Sequence, residues 1–245
     1  MDLLKGTGLK KKYIRKKRVI MAVDDISFSL HEGAFLAIVG ESGSGKSSLL
    51  RLIAGLDKPD AGHLFYRGEE YTTQKCGYAG RFLQVVFQDA YSSFDPRQKM
   101  IDSIMECSRA GDPKELETLL DAVHLGSSLL EKKPRELSGG ECQRMSIVRA
   151  IYSGAGILLC DEITSALDVS TQAQIMKAFQ RLREKQAFAA VFVSHDIALM
   201  GGLCENMMVM KDGACVEAGR TTEILRNPSH AYTKLLIDNA KKQSL

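Results

Sequence analysis

Hydrophobic positions along the chain follow two rhythms that take turns. Ala34-Phe35-Leu36-Ala37-Ile38-Val39 is an unbroken apolar run, and Leu83 to Gln88, Gly156 to Asp161 and Ala189 to Ser194 are others of similar length. Such runs read as strands buried on both faces. Between them the spacing turns helical: Leu116, Leu119, Leu120 and Val123 form an i, i+3, i+4, i+7 stripe, with Asp112-Pro113 ahead of it as N-cap and first-turn proline. Segments 137–152 and 170–184 also read as helices, and the block from about 95 to 131 is dominated by helical patterns. Near the start the period falls to two, around 9–14 and again over 22–30, where Ile26, Phe28 and Leu30 alternate with polar residues. Residues 69–81 are polar and aperiodic, a surface loop. Lys211-Asp212-Gly213 separates two short strands as a hairpin turn, and short helices over 222–225 and 230–241 flank Asn227-Pro228. The chain is therefore α/β.

One stretch organises the rest. Gly40-Glu41-Ser42-Gly43-Ser44-Gly45-Lys46-Ser47 fits G-x-x-x-x-G-K-[ST] and stands between an apolar strand and a helix. Glycines let successive backbone N–H groups converge on one anion, and the helix start adds its positive dipole end. Gly40, Ser42, Gly43, Gly45, Lys46, Ser47 and Ser48 are the candidate phosphate contacts, with the Ser47 hydroxyl suited to Mg²⁺.

Other candidates stand at strand ends. Asp161 closes an apolar strand and suits a place near Mg²⁺, while Glu162, one residue on, could polarise a water. Gln88 is a loop residue or a Mg²⁺ ligand. His195 ends a strand, where a histidine is either structural or faces a nucleotide crevice. Ser138-Gly139-Gly140 opens a helix, either as a plain cap or as an anion-ready turn. Tyr13 is either a strand residue or an aromatic face for a base.

Composition narrows the classes. With 245 residues, 44% hydrophobic and 26% charged, the sequence is ordinary for one large globular domain. A net charge of +3 gives no reason to expect nucleic acid as a partner. No apolar run reaches membrane-spanning length, and Met1 to Lys5 lacks a signal-peptide core, so a cytoplasmic protein is expected. The basic block Lys10 to Arg18 reads as a solvated hairpin or loop, or as a rim near phosphates or anionic headgroups. The six cysteines (Cys76, Cys107, Cys142, Cys160, Cys204 and Cys215) show no metal-ligand spacing and are expected to be unpaired.

Taken together, the P-loop, Gln88, Leu137-Ser138-Gly139-Gly140-Glu141, Asp161-Glu162, Ser165-Ala166-Leu167-Asp168 and His195 resemble, in order and over essentially the whole chain, an ABC transporter ATPase. Ile163 stands where that family usually has proline, and Glu141 where glutamine is common. Val86 to Arg97 and Glu223 to Thr233 are similar to segments of the oligopeptide, dipeptide and nickel importer branch, in its second ATPase subunit type. Many relatives continue into a tail with several cysteines, whereas this sequence stops at Leu245 without one, so an iron–sulfur tail function is not expected here.

The resemblance implies a P-loop NTPase cassette spanning 1–245. It would have a RecA-like core, an N-terminal antiparallel β subdomain, a helical subdomain over about 82–150 and short C-terminal helices over about 221–241. It further implies that ATP is hydrolysed with Mg²⁺ and that Tyr13 stacks on adenine. Ser47 and Gln88, with Asp161 behind, would hold the metal. Glu162 would act as general base and His195 as a γ-phosphate contact, while Ser138, Gly139 and Gly140 would face ATP held by a second ATPase subunit. Two permease subunits and an extracytoplasmic binding protein would complete an importer, with this chain on the cytoplasmic membrane face. Rival readings are an exporter cassette, a soluble ABC ATPase serving another machine, and a non-catalytic regulatory cassette.

Overall fold

Two long strands begin the chain. β1 (Asp2–Arg15) and β2 (Arg18–His31) are antiparallel, 14 residues each, and pair Gly6 with Phe28, Leu9 with Ile26 and Tyr13 with Ile20. Alternation alone suggests shorter strands. The reason is visible in the ladder, where the register slips between Gly6 and Leu9 and again between Leu9 and Lys11, moving the apolar face by a residue each time. The described part of the basic block, Lys10 to Arg15 with Arg18, lies on these two strands. In the computed structural model the described residues are 2–15, 18–71, 79–107, 112–165 and 167–243; Lys16, Lys17, Cys76 and Ala166 lie outside them. The chain divides into two units, Met1–Arg81 with Ala189–Leu245, and Phe82–Phe188.

The first unit continues with β3 (Phe35–Val39), buried at every position, and α1 (Lys46–Ile53), whose Leu49, Leu50, Leu52 and Ile53 are buried. β4 (Ala61–Tyr66) and β5 (Glu69–Glu70) extend the antiparallel sheet to the order β2-β1-β4-β5. The segment expected as loop after Gly68 thus contributes a short strand. It also supplies a buried Tyr71, whose hydroxyl donates to the Ile53 carbonyl at 2.9 Å.

The second unit holds β6 (Leu83–Val86), α2 (Met100–Met105), α3 (Pro113–Ala122), α4 (Gly139–Tyr152), β7 (Ile157–Asp161) and α5 (Val169–Lys185). β6 and β7 are parallel partners. α3 starts as its sequence signals, with the Asp112 carboxylate accepting the Lys114 N–H at 2.9 Å and Pro113 following. The strand expected to reach Gln88 stops at Val86. Phe87 is 44% exposed, and the Asp89 side chain accepts the Tyr91 and Ser92 N–H groups, closing a turn in place of a ladder.

The chain then returns to the first unit with β8 (Ala189–Ser194), α6 (Ile197–Gly201), β9 (Asn206–Lys211), β10 (Ala214–Arg220), α7 (Thr221–Arg226) and α8 (Ala231–Gln243). β3 lies between β8 and β9, parallel to both, and β10 is antiparallel to β9. The rings of Phe35 and Phe192, 5.4 Å apart, tie β3 to β8. Among the described residues no helix is long and apolar enough to cross a membrane.

Candidate active site

The loop between β3 and α1 has a shape its glycines dictate. Gly40, Gly43 and Gly45 have φ of 156°, 85° and 103°, a region side-chain-bearing residues avoid. A Cβ on Gly40 would lie 2.2 Å from the Met210 carbonyl oxygen, and one on Gly45 would lie 2.0 Å from that of Ala22. The loop is thus pressed between the end of β9 and Ala22 within β2. The hairpin turn after β9 fastens it further: Gly213 N–H donates to the Ser44 carbonyl at 3.0 Å, and Gly213's own carbonyl accepts Asp24 N–H at 2.8 Å.

Lys46 is buried at 3% exposure and folds back on the loop, donating to the carbonyls of Gly40 at 2.8 Å and Glu41 at 2.9 Å. α1 begins at a left-handed Gly45 with no side-chain cap. A helix start with no side chain at its cap position suits an anion, whose oxygens meet the positive end of the helix. Tyr13 stands beside this helix. Its hydroxyl donates to Asp57 Oδ2 at 2.9 Å, and Arg51 Nε bonds the same oxygen at 2.9 Å. Partial burial pushes the phenol's pKa up and the hydrogen bond to Asp57 adds to this, so the phenol stays neutral. His195 is exposed directly after β8, and Asp196 behind it caps α6 by accepting Leu199 N–H at 2.9 Å.

The second unit holds the other candidates. Asp161 ends β7, and Glu162 follows with φ of 46°, a left-handed backbone on a glutamate. Ser165 holds that turn, its N–H and hydroxyl donating to the Glu162 carbonyl at 3.1 and 2.9 Å. Ile163, in the place of the usual proline, is buried at 4%. A non-glycine residue in this conformation is strained by about 1–3 kcal/mol, a cost found most often where function requires it.

Ser138 begins α4 with a reciprocal cap. Its hydroxyl accepts Glu141 N–H at 3.3 Å and donates to Glu141 Oε2 at 2.8 Å, and its own N–H donates to Oε2 at 2.8 Å. These hydrogen bonds, backbone first and side chain second, hold the Glu141 carboxyl below its ordinary pKa. Gly139 and Gly140 form the first turn. A Cβ on Gly139 would meet nothing closer than Leu167 at 3.9 Å, whereas one on Gly140 would press on the Thr171 methyl at 2.7 Å.

The Gln88 segment packs on the same helix. Tyr91 hydroxyl donates to the Leu137 carbonyl at 2.8 Å, and Gln143 Nε2 to the Phe87 carbonyl at 3.3 Å. The half-buried Arg149 donates to the Ser93 carbonyl at 2.7 Å and lies 4.1 Å from the Phe94 ring centroid. A cavity of about 330 Å³ opens among Gln88, Tyr91, Gly139, Gln143 and Leu167.

Sequence reasoning missed the cradle's outer wall: Ala22, Met210, Gly213 and Tyr232. The Asp212-Gly213 pair signalled a turn, but nothing local says what that turn braces.

Comparison with known proteins gives one consistent picture. A family model described as ABC transporter matches residues 23–165. The chain is 35% identical to the dipeptide transport ATP-binding protein DppF of Haemophilus influenzae, over 99% of this chain and 79% of that one. It is 37% identical to the metal-staphylopine import system ATP-binding protein CntF of Staphylococcus aureus, over 96% of this chain and 98% of that one. Among solved structures, a dimeric ATP-binding cassette, MJ0796, bound to ADP and phosphate is similar with a TM-score of 0.77 and 28% identity, over 89% of this chain and 98% of that one.

Proposed function

The chain belongs to the ABC transporter family of ATP-hydrolysing cassettes, and from that premise we propose that it energises an importer of peptides or metal chelates. It does so as one of two unlike ATPase subunits beneath a pair of permeases, at the cytoplasmic membrane face, with cargo delivered by an extracytoplasmic binding protein. The observation that carries the nucleotide site is the glycine cradle with Lys46 folded onto its carbonyls. A triphosphate entering there would take over the lysine's donors and meet the first N–H groups of α1.

The roles then follow. Lys46, with the backbone of Gly40, Ser42, Gly43, Gly45, Ser47 and Ser48, binds phosphates. Tyr13 lays its ring on adenine while Asp57 and Arg51 hold its hydroxyl and set the ring's angle. Glu162 takes the proton of the attacking water, His195 contacts the γ-phosphate, and Ser138, Gly139 and Gly140 bind the nucleotide held by the partner ATPase. Among the described residues no cluster of three or more His, Cys, Asp or Glu could hold an ion. A cation here would rest on phosphate oxygens, water and a few protein oxygens, the arrangement Mg²⁺ favours. The Ser47 hydroxyl, Gln88 amide oxygen and Asp161 carboxylate fit that hard-oxygen chemistry. Mg²⁺, when bound, neutralises charge on the phosphates.

The helical subdomain, about 82–150, docks on the permease, and the cavity beside Gln88 receives the permease's cytoplasmic contact. The experiment is reconstitution. The chain is assembled with its partner ATPase, permeases and binding protein in vesicles, and ATP hydrolysis is measured with peptides or metal chelates added. Cargo-stimulated hydrolysis is the expected result; hydrolysis indifferent to every cargo and to the permeases would overturn the importer reading in favour of a soluble ATPase.

A further inference from the structure

From sequence, Asn227 to Thr233 marks a branch and carries no chemistry. In the structure it leads into α8 and brings Tyr232 to the cradle. The Tyr232 side chain is buried at 6% exposure, and its hydroxyl oxygen accepts the Glu41 N–H at 2.9 Å. The carbonyl of that same Glu41 accepts from Lys46 Nζ at 2.9 Å and from Ser44 N–H at 3.2 Å. The backbone of Glu41 is thus held on its amide side by α8 and on its carbonyl side by the lysine that the phosphates must claim.

The entry to α8 is itself fastened. Glu217 of β10 accepts Ser229 N–H at 2.8 Å, Ser229 Oγ at 2.9 Å and His230 N–H at 3.1 Å. Lys211 Nζ lies 5.1 Å from the centre of the Tyr232 ring, an attraction that holds the ring from the β9 side.

We infer that Tyr232 is a positioning residue for nucleotide binding, keeping the first turn of the cradle formed while Lys46 leaves the Glu41 carbonyl for the phosphates. The inference deepens the function proposed above and rests on the triphosphate lying at Lys46. Without nucleotide, lysine and tyrosine brace the loop together. Once the lysine turns to phosphate, the tyrosine hydroxyl is the side-chain anchor that stays on Glu41. The Glu41 N–H is part-buried in this contact, and losing a protein acceptor there forfeits the hydrogen bond, so without that oxygen the loop relaxes away from the shape that converges on the phosphates. The phenyl ring alone cannot replace it, because what the loop needs is an acceptor.

The test uses the full chain, MgATP and a fluorescent ATP analogue. Tyr232→Phe removes one oxygen and keeps the ring. Its Kd for the analogue and for MgATP should rise about three- to tenfold, and Glu41 amide exchange should quicken. In the assembled transporter KM for ATP should rise alike, with kcat at saturating ATP within about twofold of wild type. Ile237→Ala, in the buried face of the same helix, should lower the melting temperature more than Tyr232→Phe yet leave nucleotide affinity near wild type. Equal affinity of Tyr232→Phe and wild type, or equal weakening by Ile237→Ala, overturns the inference alone. Failure of the wild-type chain to bind the analogue overturns the placement of the nucleotide, and this inference with it.

Discussion

The cradle after β3 and the turn before α4 are both glycine-bearing helix starts, but they are built in opposite ways. The first has no side-chain cap and is shaped by groups far away in sequence: Ala22, Met210, Gly213 and Tyr232. The second is closed by residues three apart, Ser138 and Glu141, which satisfy each other. Their glycines also answer to different demands. Gly40 and Gly45 are imposed from within, by positive φ and by carbonyl oxygens that would collide with a Cβ. Gly139 has room for a methyl group in its own chain. Gly139 thus leaves open space at the start of α4, which fits a close approach by the partner's nucleotide, its proposed contact.

The hardest blow to this contrast comes from Gly45→Ala. The carbonyl collision and φ of 103° should distort the cradle and reduce ATP affinity by about 100-fold or more, read by equilibrium binding of MgATP. Wild-type affinity in that variant would mean the loop shape is not what binds. Glu162→Gln divides the labour more finely. Binding should persist while turnover falls about 10²- to 10⁴-fold, and a single-turnover assay with unchanged hydrolysis would take the base role from Glu162.

Gly139→Ala should cost about tenfold in turnover of the assembled transporter. Its thermal stability should stay level or rise slightly, since alanine suits a helix better than glycine. A matching loss of stability would show that Gly139 is needed by its own fold after all.

A smaller effect tests how the distant brace of the cradle is fastened. Burial raises the Glu217 carboxyl, but the nearby Thr233 hydroxyl and the hydrogen bonds from Ser229 and His230 outweigh this and bring it from 4.5 to about 2. A carboxyl depressed by folding contributes stability in full above its ordinary value, and that contribution fades as pH falls through the folded value. Wild type should therefore lose melting temperature between about pH 4.5 and 2 partly through Glu217, and Glu217→Gln should show a shallower slope over that window. A parallel slope would exclude Glu217 as the group responsible.

Much of this was legible along the chain. β3, α1 and the glycine pattern between them announce themselves within about twenty residues because their causes are local: apolar continuity, backbone freedom and a lysine at fixed spacing. α3 is as readable, for Asp112 and Pro113 do in space what they suggest in sequence. The length of β1 was not, because its register slips erase the period of two. Nor was the end of β6, where Asp89 competes for the N–H groups a longer ladder would need. Tyr232 was hidden for a different reason: its partner, Glu41, is 191 residues away, and no pattern in a single sequence encodes a contact of that range. Elements with local causes were thus easier to read than the distant contacts that brace them.

The left-handed turn at Glu162 bears on how such a pump could be lost. Exchanging that glutamate for glycine would ease the backbone, so Glu162→Gly should melt no lower than Glu162→Gln while both stand idle. A library of variants sorted by heat resistance alone would accept the change without penalty. Only a screen that asks for transport would keep the acid in place.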